Sequence, residues 1–144
     1  MRIFDHSDNT VILIGTWRNV TRMQVRYLAE RGYPPKCPSS ETFSRIDVYW
    51  FRFDRDIGLI DDRFIDHLSN YDTVIISGGS TAEFVLERSG FKYIENEEDI
   101  MPLVSVGRIR GGKLDGKRII LKGGLVGTDS SYIDILMYIG VLDD

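Results

Sequence analysis

Three glycine-containing segments, each lying between an apolar run and a helical pattern, constrain the fold of this chain more than any other feature. They are residues 15–21 (GTWRNVT), 77–81 (SGGST) and 122–129 (KGGLVGTD). A short apolar run that ends in such a segment is typical of a buried parallel strand, and a 3.6-residue pattern after it is typical of a helix. Repetition of this unit predicts an α/β fold in which parallel strands form the centre of the sheet.

The other elements complete a predicted three-layer, Rossmann-like sandwich with a mixed sheet. We expect strands over residues 11–14, 46–53, 73–76, 103–109 and 118–121, and helices over residues 21–31, 61–68, 81–88 and 129–139. The pair Asp115-Gly116 is a turn signal, so a C-terminal antiparallel hairpin is expected beside the parallel centre. The proline-rich residues 32–40 and the acidic residues 95–99 are predicted to be loops.

Length and composition exclude several classes of protein. The 144 residues are predicted to form a single domain, residues 1–144. No apolar run approaches ~18 residues, so no membrane span is expected. A net charge of −4 argues against a nucleic-acid-binding protein. One cysteine and two histidines allow neither a disulfide framework nor a His-rich metal site, and a cytoplasmic location is favoured.

The three glycine segments are together the candidate binding site. Loops that follow parallel strands gather at the carboxyl ends of those strands, where ligands of α/β proteins bind. Glycine lets backbone N–H groups approach an anion, and a helix N-terminus adds partial positive charge. We therefore predict a site for a phosphate-bearing ligand, with no catalytic residue and no metal ligand assigned. The predicted binding residues are Gly15, Thr16, Gly78, Gly79, Ser80, Thr81, Lys122, Gly123, Gly124 and Gly127.

Structural roles explain several of these residues equally well. Ser80 or Thr81 could be the N-cap of a helix, and Lys122 could be a solvated lysine at a strand end. Asp129 could cap the last helix or approach Mg²⁺ beside phosphates. Trp17, like the chain's second tryptophan, could pack against the core or stack on an adenine. None of the three segments has the spacing of a P-loop or of the Gly-x-Gly-x-x-Gly fingerprint.

The first segment fits a longer pattern, Gly-Ser-x-Ser-x-x-Thr-x-x-Gln. Residues 15–24 (GTWRNVTRMQ) match it at Gly15, Thr21 and Gln24. Thr16 replaces the first serine conservatively, whereas Arg18 replaces the second outright. Residues 15–24 therefore keep the glycine, the glutamine and two of the three hydroxyl-bearing residues of that pattern.

Two later segments fit further motifs in a fixed order. Residues 78–81 match Gly-Gly-Asp-Thr, except that Ser80 stands in the place of the acid. Residues 122–127 match Lys-x-Gly-x-Phe-Gly, with Val126 for the phenylalanine. Taken together, the ordered motifs resemble the C-terminal nucleotide-binding domain of the four-carbon acid sugar kinase family.

The resemblance implies a function for the site. Members of that family phosphorylate four-carbon sugar acids with ATP, so it implies ATP, together with Mg²⁺, held by Thr16, residues 78–81 and residues 123–124. Family kinases also carry an N-terminal domain that binds the sugar acid. The resemblance therefore implies that a separate sugar-acid-binding chain supplies the acceptor and the general base. Two other functions stay open: a nucleotide- or anion-binding module without catalysis, and a degenerate relative whose loops support an oligomer interface.

Overall fold

Strands and helices alternate along the chain. The computed structural model describes residues 8–40, 42–123 and 127–142. Its strands are β1 (Thr10–Ile14), β2 (Pro35–Lys36), β3 (Ile46–Trp50), β4 (Thr73–Ser77), β5 (Tyr93–Met101), β6 (Val104–Arg110) and β7 (Arg118–Lys122). Its helices are α1 (Asn19–Glu30), α2 (Phe53–Asp56), α3 (Asp62–Leu68), α4 (Gly79–Ser89) and α5 (Ser131–Tyr138), and a 3-10 turn covers Ile57–Leu59. Within the described ranges, no helix has the length and apolar character needed to cross a bilayer.

All seven of these strands belong to one mixed sheet in the order β2-β3-β1-β4-β7-β6-β5. The first five strands of that order pair in parallel, whereas β6 pairs antiparallel with both β7 and β5. Asp115 and Gly116 lie in the connection between β6 and β7, as the turn signal predicts. The predicted Rossmann-like sandwich, with a parallel centre and a C-terminal antiparallel part, is confirmed.

The central strands are buried on both faces because alternate side chains enter two separate cores. On β1, Ile12 and Ile14 belong to the core that includes residues of α1 and α5. Val11 and Leu13 belong to the opposite core, which includes residues of α3 and α4. The sheet is thus covered by two helix layers, and β1 contains a continuous apolar run over residues 11–14, as is usual for buried parallel strands.

This arrangement places a topological switch point between β1 and β4. The two strands are neighbours, with Ile14 opposite Ser77 at their carboxyl ends. Helix α1, which follows β1, covers one face of the sheet, and α4, which follows β4, covers the other. Adjacent strands whose helices leave toward opposite faces open a crevice at the sheet edge, where ligands of doubly wound α/β proteins bind.

Two segments predicted to be loops are strands at the edges of the sheet. Pro35 lies in β2, which pairs in parallel with β3. An edge strand tolerates proline, because a missing N–H costs nothing where it would face away from the neighbouring strand. The acidic residues 95–99 lie in β5, where Glu95 accepts two hydrogen bonds from the Arg110 guanidinium of β6. The prediction overlooked that an exposed edge strand carries charged side chains readily.

The buried face of α1 also differs from the prediction. Helical periodicity places Met23 on the same face as Tyr27 and Leu28 and so predicts that it faces the core, but its side chain is 44% exposed. Thr21 and Gln24 are buried instead, beside Val25 and Leu28. Two polar side chains at the start of the helix therefore point toward the loops above the sheet rather than toward solvent.

Candidate functional site

A cleft of about 510 Å³ lies at the carboxyl ends of β3, β1 and β4. Three connections line it: the β1–α1 loop, the start of α2, and the turn into α4. The cleft brings together six of the predicted site residues from two of the three glycine segments. Its lining residues are Gly15, Thr16, Trp17, Arg18, Arg52, Phe53, Asp54, Gly78, Gly79, Ser80 and Thr81.

The first two glycine segments touch each other across the switch point. Gly78 has a φ of +101°, a conformation that side-chain-bearing residues rarely adopt. A Cβ at Gly78 would lie 3.3 Å from Cγ2 of Thr16. On the other side of Thr16, its Oγ1 lies 2.6 Å from Oγ1 of Thr21. The hydroxyl of Thr16 is thus held by α1 while its methyl group contacts the second loop.

Both helices that open from these loops begin without a side-chain cap. The N-cap positions are Arg18 for α1 and Gly78 for α4, and neither supplies a side-chain hydrogen bond to the helix. Neither helix has an acidic residue in its first turn. The alternative role of Ser80 or Thr81 as an N-cap is therefore wrong, because both residues lie inside the first turn of α4.

The backbone amides of the second loop differ in their availability to a ligand. The N–H of Gly78 already donates to the carbonyl of Lys122 at 3.1 Å. The first amide of α4 with an intrahelical acceptor is that of Ala82, which donates to the carbonyl of Gly78 at 3.0 Å. The N–H groups of residues 79–81 precede it, and amides at this position in a helix have no intrahelical partner. An anion would therefore meet the amides of residues 79–81 rather than that of Gly78.

The charged side chains that line the cleft are mainly basic. Arg18 stands at the entrance to α1, and Arg52 precedes α2. The carboxylate of Asp54 accepts a hydrogen bond from the Arg52 guanidinium at 3.2 Å. Two helix N-termini, each with partial positive charge, and the guanidinium of Arg18 in the cleft favour a negatively charged ligand.

Lys122 does not line this cleft, and it is not a solvated lysine. Its side chain is 3% exposed and packs between α1 and α5, with Nζ 5.0 Å from the centre of the Tyr132 ring. The ammonium donates to Oε1 of Gln24 at 3.3 Å and to the carbonyl of Gly123 at 3.0 Å. Burial lowers the pKa of Lys122 to about 8. Within the described ranges no carboxylate forms an ion pair with it.

Gln24 is a site residue that the prediction left out. Its Oε1 accepts from Lys122, and its Nε2 donates to the carbonyl of Thr128 at 3.0 Å. One buried side chain therefore connects α1, the end of β7 and the third glycine segment. The signal for this role was the glutamine that ends the first sequence pattern, which was matched but not given a function.

The third glycine segment does not line this cleft, but Lys122 and Gly123 line a neighbouring cavity together with Gly78 and Gly79 of the second segment. The N–H of Gly123 donates to the carbonyl of Leu103 at 3.4 Å, and Gly127 has a φ of +97° beside Ser131. Gly124 lies outside the described residues, as do residues 125–126. The N-cap position of α5 is Ser130, so the alternative role of Asp129 as its cap is wrong.

Two buried hydroxyl groups near Lys122 have no hydrogen-bond partner within the described ranges other than each other. They are Oγ of Ser77, which lies opposite Lys122 in the sheet register, and the hydroxyl of Tyr132. Burial raises the pKa of Tyr132 above its ordinary value, so this hydroxyl stays protonated. Buried hydroxyl groups usually bond to protein or to ordered water.

The residues that line the cleft do not fit a protein-held Mg²⁺ site. Mg²⁺ binds through carboxylates and phosphate oxygens. The carboxylate among the lining residues is that of Asp54, which is hydrogen bonded to Arg52. Among the described residues, no group of three or more His, Cys, Asp or Glu side chains could hold a metal ion. Any Mg²⁺ in the cleft would depend on phosphate oxygens brought by the ligand.

A doubly wound α/β sandwich with a basic, glycine-lined cleft at its switch point defines the class of Rossmann-like ligand-binding domains. Residues 57–131 match the model of the family described as the nucleotide-binding C-terminal domain, and the chain belongs to this family. The match confirms the resemblance to the C-terminal domain of four-carbon acid sugar kinases. It includes the second and third glycine segments, whereas the first lies outside it. No curated protein matches the sequence significantly.

Solved structures of low sequence identity share the fold. One is a domain of unknown function from Bordetella bronchiseptica, described as a domain-swapped dimer with bound citrate, at a TM-score of 0.69 and 16% identity. The alignment covers 93% of this chain and 40% of that one. A Haemophilus influenzae protein aligns at a TM-score of 0.67 and 15% identity, over 94% of this chain and 41% of its own. This chain therefore spans about two fifths of the length of these neighbours.

Proposed function

We propose that the cleft binds the phosphate groups of a nucleotide, and that the nucleotide is ATP. The observation that carries the proposal is the convergence of two uncapped helix N-termini, from α1 and α4, on one cleft that also contains Arg18 and Arg52. A helix N-terminus binds phosphate through its unpaired N–H groups and its dipole. Membership of a nucleotide-binding family supports the same assignment.

The phosphate-binding groups follow from the amides that lack acceptors. The N–H groups of residues 79–81 would hold one phosphate, with the exposed hydroxyl of Ser80 as a further donor. Gly15 lets the first loop lie close to α4, and Thr16 contributes its hydroxyl or its backbone. The third segment would contact another part of the same ligand through Lys122, Gly123, Gly124 and Gly127. Gln24 would hold this segment in place through its hydrogen bonds to Lys122 and Thr128.

A catalytic role requires a second component. In-line phosphoryl transfer needs an acceptor positioned against the γ-phosphate and a residue that orients or deprotonates it. The cleft offers neither, since the Asp54 carboxylate is bound to Arg52. We therefore propose that this domain acts in the cytoplasm as the nucleotide-binding half of a sugar-acid kinase, with a separate sugar-acid-binding chain that completes the enzyme.

A second candidate function is the binding of a nucleotide or another anion without catalysis. Ser80 stands where the family motif has an acid, so the chain lacks the carboxylate that would assist a metal ion there. The Bordetella neighbour is described with bound citrate, an anion without phosphate. A role of the loops in an oligomer interface is a third candidate, and the description of that neighbour as a domain-swapped dimer makes it worth testing.

Calorimetric titration tests these proposals. ADP and ATP should bind the wild-type chain in EDTA, because helix amides and arginines rather than a metal ion neutralise the phosphates. Ser80→Asp is the informative variant, since an acid in the first turn of a helix is favourable for folding but repels a phosphate. Its affinity for ADP in EDTA should fall about 10-fold, the equivalent of ~1.4 kcal/mol. Added Mg²⁺ should restore part of that loss.

The control is Asn70→Asp, which changes the charge equally at an exposed position before β4, away from the cleft. It should bind ADP like the wild type. The proposal is wrong if no nucleotide binds, or if both variants lose affinity equally. Binding of citrate and not of ADP would favour the second candidate. Kinase activity that appears only after addition of a sugar-acid-binding chain would separate the first candidate from the second.

A further inference from the structure

We propose that Trp17 is a stacking platform for the base of the nucleotide, so that the cleft takes a nucleotide with an aromatic base in preference to a simple anion. This inference rests on the proposed function and adds to it the part of the ligand that the helix amides do not contact.

Trp17 is held rigidly in the loop where it lies. Its ring stacks on that of Trp50 with a centroid distance of 4.0 Å and an interplanar angle of 14°. Trp50, at the end of β3, donates its indole N–H to the carbonyl of Thr16 at 2.7 Å. The strand therefore fixes both the backbone and the ring of the β1–α1 loop. A platform that is already ordered loses little conformational entropy when a ligand stacks on it.

The second observation is that this indole stays partly open to solvent inside the cleft. Trp17 is 37% exposed, although one face of its ring is covered by Trp50. The guanidinium of Arg22 lies 5.8 Å from its centroid, a distance typical of a weak, exposed cation–π contact. A planar base could displace the Arg22 guanidinium from the Trp17 ring and cover more of that ring by stacking on it. Exposed tryptophan in a cleft is a common feature of binding sites, because the ring offers a large apolar surface at low entropic cost.

The cleft is amphipathic in a way that suits a nucleotide. The turn into α4 provides backbone amides and hydroxyls, whereas Trp17 and Phe53 provide aromatic surface. Phe53 is itself supported by an edge-to-face contact with Phe84, with centroids 6.0 Å apart. A volume of about 510 Å³ lies within the ordinary range for small-molecule sites. Inorganic phosphate or citrate would leave the aromatic surface unused.

This recognition would tolerate different bases. Stacking on an aromatic side chain uses the π-face that every base possesses, and it discriminates only weakly among bases. We therefore expect ADP and GDP to bind with similar affinity and pyrophosphate to bind more weakly than either.

The test compares two ligands on one set of variants. Trp17→Leu keeps an apolar side chain but cannot stack, and Trp17→Ala removes the side chain. Both should weaken ADP binding by about 5- to 150-fold, the range equivalent to the loss of one base-stacking contact, and leave pyrophosphate binding within about twofold of the wild type. The matched control is Met23→Ala, an exposed apolar residue of α1 outside the cleft lining, which should change neither affinity.

Intrinsic fluorescence gives an independent readout. The chain contains two tryptophans, and both belong to the stacked pair. ADP should therefore quench or shift the emission of the wild type, whereas pyrophosphate should leave it nearly unchanged.

The outcomes separate the two proposals. Equal losses for ADP and pyrophosphate in the Trp17 variants would overturn the platform, because Trp17 would then act only through the loop. Unchanged ADP affinity in those variants would also overturn it, with the proposed function still standing. Failure of the wild type to bind either ligand would overturn both.

Discussion

The hydroxyl of Thr81 occupies the space that a side chain at Gly15 would need. A Cβ on Gly15 would lie 2.0 Å from Oγ1 of Thr81 and 3.1 Å from its Cβ. Thr81 is 3% exposed, so it has little room to move away. The two loops that frame the cleft therefore interlock, and the separation of β1 and β4 at their carboxyl ends depends on the absence of a side chain at Gly15.

We expect Gly15→Ala to destabilise the fold. Overpacking of a tight buried contact typically costs about 1–3 kcal/mol of unfolding free energy. Chemical denaturation monitored by circular dichroism measures this loss. Gly58→Ala is the matched control, because a Cβ there has no neighbour within 4 Å. It should be neutral or stabilise by about 0.4–1 kcal/mol through the unfolded state.

The contact with Thr81 can be isolated by a double-mutant cycle. Thr81→Ala removes Oγ1 and should recover part of the stability lost in Gly15→Ala, giving a coupling energy of about 0.5 kcal/mol or more. Additive effects of the two substitutions would contradict the interlocking of the loops.

Lys122 should make stability depend on pH in the alkaline range. Burial lowers the pKa of Lys122 to about 8 in the folded chain, against an ordinary value of 10.5. Between these two pH values the unfolded chain binds more protons than the folded chain, so the unfolding free energy of the wild type should rise with pH. A shift of this size corresponds to at most about 3 kcal/mol.

Lys122→Met removes this titration, so the difference in stability between the variant and the wild type isolates it. The unfolding free energy of Lys122→Met, relative to that of the wild type, should be highest at pH 7. This difference should decrease between pH 8 and pH 10.5, as the wild type gains stability. Denaturant titrations of both proteins across this range measure the difference. If the difference in unfolding free energy between the two proteins stays constant with pH, Lys122 remains fully charged up to its ordinary pKa and the prediction is wrong.

Asp47 should contribute to the attachment of the proline-rich segment. It is 2% exposed and forms an ion pair of 2.6 Å with Nζ of Lys36 in β2. It also accepts hydrogen bonds from the hydroxyl of Tyr71 and from the N–H of Ser44. Burial acts to raise the pKa of Asp47, but these hydrogen bonds and the Lys36 ammonium outweigh it and hold the pKa below its ordinary value.

Asp47→Asn should therefore cost about 1–3 kcal/mol of unfolding free energy at pH 7. Because the folded-state pKa is lowered, the contribution of Asp47 is present above its ordinary pKa of 3.8 and is lost as the pH falls through the folded value. The deficit of the variant should thus shrink in acid. Tyr71→Phe, which removes one of the hydrogen bonds and no charge, should cost less. If Asp47→Asn loses as much unfolding free energy at pH 2–3 as at pH 7, the stabilising role of the Asp47 charge is wrong.

The central fold could be predicted from the sequence because its elements carry strong local signals. Residues 11–14 and 74–76 are continuous apolar runs, and every residue of the strands that contain them is buried. The edges carried weaker signals. β2 is two residues long and contains Pro35, and β5 is acidic, so their strand conformation comes from pairing with β3 and β6 rather than from their own sequence.

The sequence could predict which loops form the site, but not how those loops and their side chains are arranged relative to one another. The sequence pattern predicted that the first two segments lie at the carboxyl ends of parallel strands, and the structure shows that these strands, β1 and β4, are neighbours. The pattern could not show that Lys122 turns toward α1 and α5, because successive side chains of a strand face opposite sides and a one-residue difference reverses the outcome. Gln24, which accepts a hydrogen bond from the Lys122 ammonium and so fixes its direction, is 98 residues away along the chain.

The two borders of the sheet bear on how this domain can meet another protein. At one border a two-residue strand begins with proline, and at the other β5 is acidic and its pairing register shifts twice. Such borders are poor templates for a neighbouring polypeptide that seeks to extend the sheet, which protects the chain against amyloid-like association. Any companion subunit should consequently contact the helices or the loops that surround the cleft rather than pair with an edge strand.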